Sequence, residues 1–85
     1  ALKALLNKAA DLTDNAGSLK HQLAAGEDPV VILKLAKKYH PSIEVILPTL
    51  HVYAVDDMVA GAALESLLEV QGSLEVIISE LGQPA

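Results

Sequence analysis

The sequence predicts an all-α protein, a small bundle of four to five helices led by one long N-terminal helix. Three observations point there. Leu2, Leu5, Ala9, Leu12, Ala16, Leu19 and Leu23 follow one another at alternating steps of three and four, a heptad seam unbroken over three repeats. Leucine and alanine, both strong helix formers, supply 28 of the 85 residues, and Phe and Trp are absent. Helix start and stop signals recur along the remainder, at Asp28-Pro29, Asp56-Asp57, Gly72-Ser73 and Gly82.

The first helix is expected over about residues 2–25, with Gly26 as its stop. Such a helix is about 35 Å long. Its weak point is Asn15-Ala16-Gly17-Ser18, where glycine costs about 1 kcal/mol relative to alanine and Ser18 offers a fresh cap. The heptad phase survives the interruption, which favours one continuous helix. Ala9 and Ala16 on the seam allow another helix to approach closely.

Asp28 as N-cap and Pro29 at the first helical position open the second helix. It is expected to run to about Tyr39 and end before Pro41, because a residue preceding proline resists helix. Val30, Val31, Ile32, Leu33, Leu35 and Ala36 wrap most of its circumference, so it reads as largely buried. Residues 42–55 read two ways. Ile43, Ile46, Leu47, Leu50 and Ala54 keep helical spacing, with Pro41 and Pro48 each opening a piece and a bend near Pro48. Val45, Val52, Tyr53 and Val55 are strand formers and Pro48-Thr49 suits a turn, giving an α+β alternative with a hairpin at about 43–55. The helical reading is preferred.

Asp56-Asp57 caps a further helix over about 57–71, which Gly72 ends. Ser73 then caps a short last helix that stops at Gly82, leaving Gln83-Pro84-Ala85 as a tail. No segment repeats at a fixed period and no linker is long enough to separate domains, so residues 1–85 read as a single domain.

Charge is divided along the chain. All six lysines lie within residues 1–38 and arginine is absent, so the first forty residues sum to +2. Residues 41–85 carry seven carboxylates and no lysine, a charge of −7. A polyanion is repelled by the second half and finds no guanidinium forks in the first, which argues against nucleic-acid binding. No apolar run is long enough to span a bilayer, and no signal peptide is visible. With no cysteine, disulfides and thiolate chemistry are excluded and a cytoplasmic location is expected. The chain opens on Ala1 without methionine, as one from which an upstream piece had been removed would.

Candidate chemistry is sparse. His21, His40 and His51 form no i, i+4 pair and no HExxH, so no metal site is expected; His40 reads as a helix-end residue and His51 as a half-buried polar one. No serine sits in a G-x-S-x-G elbow. Gly17-Ser18-Leu19 and Gly72-Ser73-Leu74 loosely resemble the attachment-serine motif of acyl carrier proteins, which are also acidic, all-helical and about this long. The resemblance covers three residues and departs from the usual Asp-Ser-Leu. Both serines also lie near the ends of the chain, and helix capping explains them more simply. Glu65 and Glu69 read as a solvated stripe, and the LxxLL patterns at Leu2–Leu6 and Leu64–Leu68 as core. No catalytic residue, cofactor site or metal site is assigned.

A chain this small buries only about 60–65% of its unfolded surface, yet 52% of its residues are hydrophobic. The excess needs another surface to cover it. The expected function is therefore a non-catalytic helical protein–protein interaction module, self-associating as a homo-oligomer through Leu2, Leu5, Ala9, Leu12, Ala16, Leu19 and Leu23. Lysines of the first two helices would then face the acidic second half. One alternative is an acidic carrier holding a small hydrophobic ligand between its helices. A second, resting on the −7 charge alone, is an antitoxin- or immunity-like protein that covers a basic partner.

Overall fold

The computed structural model describes residues 2–82, and these are helical apart from short turns. The elements are α1 (Leu2–Gly17), α2 (Leu19–Ala24), α3 (Pro29–Ala54) and α4 (Met58–Leu81). The chain is all-α, and the hairpin alternative at 43–55 does not form. The tail at 83–85 lies outside the described residues.

With α1 and α2 counted as one rod the helices number three, fewer and longer than the four to five expected. α1 and α2 run on from each other: Ser18 keeps helical dihedrals, its N–H donates to the Asp14 carbonyl, and its own carbonyl accepts from His21 and Gln22. Ser18 does not cap α2 through its side chain. The stop at Gly26 is as read. Gly26 has a φ of 92°, Gly26 N–H donates to Leu23 and Glu27 N–H to Gln22, the paired bonds of a Schellman ending.

α3 runs straight on through Pro41 and Pro48, where the sequence suggested separate pieces. Each proline removes one i→i−4 bond and leaves the carbonyls of Lys37 and Glu44 without an amide. Both prolines sit on the solvent side and both deprived residues are exposed, so those carbonyls belong to residues that water can reach. α4 likewise continues through Gly72 and Ser73. A glycine cost of about 1 kcal/mol is small beside the packing of Leu67, Val70, Leu74 and Ile77 on either side of it. The start signals hold: Asp28 Oδ1 accepts from Val30 N–H and Asp57 Oδ1 from Ala60 N–H, each at 2.9 Å.

α3 and α4 are antiparallel, with Leu33 beside Gly82 and His40 beside Glu75. α1 lies parallel to α4, with Gly17 against Val70. The body measures 45 × 22 × 16 Å, which fits helices of about 36–39 Å at 1.5 Å per residue. One core joins all four elements: Leu12 and Leu19 from the first rod, Ile32, Ile43 and Leu50 from α3, and Leu67 and Leu74 from α4. Ala9, Ala16, Ala36 and Ala60 are also buried, and a Cβ placed on Gly17 would stand 3.4 Å from the Val70 side chain. Small residues thus let the rods approach closely where a core without Phe or Trp has little to fill a wider gap.

Two outcomes test this arrangement by urea denaturation. Leu19→Ala should cost about 2–5 kcal/mol, the range for a sealed leucine. Gly72→Ala, whose new methyl meets nothing within 4 Å, should instead stabilise by about 0.5–1 kcal/mol. If Gly72 were a true helix stop, that gain would be absent.

Candidate interaction surface

The heptad seam faces inward. Ala9, Leu12, Ala16 and Leu19 are sealed in the core, and Leu2, Leu5 and Leu23 pack half-buried against it. The association face expected on these seven residues is therefore covered by α3 and α4 of the same chain. Replacing Leu12 or Leu19 with Asp would unfold the domain rather than report on an interface. The lysines do not meet the acidic half either. Among the described residues every ion pair involves His40, and no lysine lies within reach of a carboxylate.

The chemistry-bearing residues fall apart from one another. His51 and His21 are exposed, which corrects the half-buried reading of His51. His40 lies within α3 rather than at a helix end. Its Nδ1 is 3.2 Å from Glu44 Oε1 and its Nε2 is 3.0 Å from Glu75 Oε2. The Glu44 contact lies within α3, and the Glu75 contact clamps α3 to α4. The carboxylates occupy opposite ring edges, so the three residues cannot converge on one ion. Among the described residues no group of three or more His, Asp or Glu has metal-binding geometry. Ser18 Oγ donates to the Asn15 carbonyl and accepts from Gln22 Nε2, so that hydroxyl is occupied within its own helix. Glu65 and Glu69 are exposed, and Leu2, Leu5, Leu6, Leu64 and Leu67 belong to the core or pack on it, whereas Leu68 is exposed, which corrects the core reading of the second LxxLL pattern at that position.

What stands out is the far side of α3. Its buried residues, Ile32, Ala36, Ile43, Leu47 and Leu50, occupy one face. The face directly opposite carries Pro41, Val45, Pro48, Val52 and Val55, at steps of four, three, four and three. All five are exposed: Val45 at 75%, Val52 at 71% and Val55 at 82%. A solvent-facing helix surface is ordinarily polar. Here it is a second heptad stripe, about 21 Å long. Val30 and Val31, read as part of a largely buried helix, are exposed as well. The total surface, 5340 Å², exceeds the about 4,800 Å² usual for a folded monomer of this mass.

No family model, curated protein or solved structure matches this chain.

Beyond the stripe, an open groove of about 330 Å³ runs between α1 and α4, lined by Leu6, Ala9, Ala10, Val59, Ala62 and Ala63 among others. Four of its nine lining residues are alanine and three, Thr13, Asp14 and Ser66, are polar; Val59 on its edge is largely exposed. The sequence reading missed the outward stripe because residues 42–55 were weighed as one apolar face or a hairpin. The signal was present as two interleaved series, one through Ile43, Leu47, Leu50 and Ala54, the other through Pro41, Val45, Pro48, Val52 and Val55. No described helix is long and apolar enough to cross a membrane.

The His40 clamp is open to a double-mutant cycle. His40→Ala with Glu75→Gln should give a coupling energy of about 0.3–1 kcal/mol, as for a partly exposed pair. A coupling of zero would mean that the two side chains merely lie side by side.

Proposed function

We propose that the chain is a non-catalytic helical interaction module that self-associates, and that its working surface is the outward face of α3. The observation that carries this reading is the exposed stripe from Pro41 to Val55. Apolar area of this regularity gains about 25 cal/mol per Å² when water leaves it. The side chains involved suit that role. Valine has few rotamers to lose and proline none, so ordering them in an interface costs little entropy.

This keeps the self-association expected from the apolar excess and moves it from the first helix to the third. One further feature supports the non-catalytic part: the His40 ring is engaged on both nitrogens, by Glu44 and Glu75. A second reading, a holder of a small hydrophobic ligand, draws on the groove between α1 and α4, whose apolar lining is Leu6, Ala9, Ala10, Val59, Ala62 and Ala63. Native mass spectrometry of protein from its own host decides that reading, since a bare mass would end it. The basic-partner reading draws only on the acidity of residues 41–85.

Light scattering coupled to size-exclusion chromatography, from about 10 µM to about 1 mM, tests the main reading. A mass rising above 8.9 kDa with concentration is the expected result. Val52→Asp should return the protein to a monomer with unchanged helical circular dichroism, because position 52 has no role in the core. A strict monomer across the whole range would overturn the reading.

A further inference from the structure

We infer that the α3 face is covered by the α3 face of a second copy, packed antiparallel about a two-fold axis that passes near Pro48. This rests on the self-association reading and adds the geometry of the interface. In that arrangement Pro48 meets Pro48, Val45 meets Val52, and Pro41 meets Val55. The stripe has apolar residues at matching positions in both directions, so one surface serves as both halves of an isologous contact.

The charges around the stripe select the direction. Lys34, Lys37 and Lys38 stand at its N-terminal end, and Asp56 and Asp57 at its C-terminal end. Helical spacing places Lys38 and Asp56 on one flank and Glu44 and His51 on the other. In an antiparallel pair, like flanks meet: Lys38 comes opposite the other copy's Asp56, and Glu44 opposite its His51. Lys34, Lys37, Lys38 and Asp56 have no ion-pair partner within the described residues, so they are free to meet one. A parallel pair would gather six lysines at one end and four aspartates at the other, which is repulsive.

The same layout argues against other occupants. A basic partner is repelled by the lysine end of the face, and an anionic surface by the Asp56-Asp57 end. Only a partner with the same dipolar arrangement, reversed, matches both ends. The stripe offers five apolar residues, against the about 20–30 residues a side of a standard stable interface. The dimer should therefore exchange, with a dissociation constant of about 1–100 µM.

The chain has no cysteine, so single introduced thiols report the geometry without interference. Pro48→Cys should cross-link to itself under mild oxidation. Val45→Cys and Val52→Cys should each cross-link poorly alone and readily when mixed. Self-linking of Val45→Cys and of Val52→Cys, with none between them, would overturn the antiparallel arrangement while leaving self-association intact. A protein that stays monomeric and never cross-links would overturn both. Charge exchange gives a second arm. Lys38→Glu or Asp56→Lys alone should weaken the dimer about 3–10-fold, and the two combined in one chain should restore it. Failure to restore it would overturn the pairing of those flanks. Asp57 is left untouched because it caps α4.

Discussion

Packing three helical rods around a shared interior admits one stripe from each, and the width of that interior is set by the side chains that fill it. Here the fillers are leucine, isoleucine, valine and alanine, with Ala9, Ala16, Ala36 and Ala60 sealed between the rods and Gly17 pressed towards Val70. The result is a slender body with a thin core. α3 carries apolar residues on two opposite faces, and the interior has room for only one of them. Ile43, Leu47 and Leu50 turn inward, and Val45, Val52 and Val55 are left in water. The exposed stripe is thus a direct consequence of how little this core can hold.

The two prolines illustrate the same constraint from the backbone side. A proline within a helix is tolerated where the carbonyl it deprives can reach water. Pro41 and Pro48 meet that condition because they lie seven residues apart on the outward face. On the inward face either would leave an unsatisfied carbonyl in an aliphatic core. Their position also makes the outer surface of α3 smooth and apolar, since neither brings a polar side chain. The property that lets α3 run unbroken for 26 residues is therefore the one that leaves its outer face apolar.

Charge adds the directionality that an aliphatic surface lacks. Lysines precede the stripe on α3 and aspartates follow it, so the helix face has a positive and a negative end. The intramolecular ion pairs involve neither end. They centre on His40, whose contact with Glu44 lies within α3 and whose contact with Glu75 reaches α4. The charges at the two ends of the stripe thus take no part in joining α3 to α4.

The sequence by itself determined the helical class, because alanine, leucine and heptad spacing are local properties that need no tertiary partner. It also determined the punctuation at Gly26, Asp28-Pro29 and Asp57, since a left-handed glycine and side-chain caps act within a few residues. The tertiary structure alone decided whether Pro41, Pro48 and Gly72 end a helix, because the answer depends on which face meets water and how much packing lies on either side. It decided, too, which apolar stripe is sealed. The Leu2–Leu23 seam and the Pro41–Val55 stripe have the same spacing in the chain, and only the arrangement of the rods puts one inside and the other out. Periodicity records that a face is apolar; coverage depends on what the rest of the chain can lay against it.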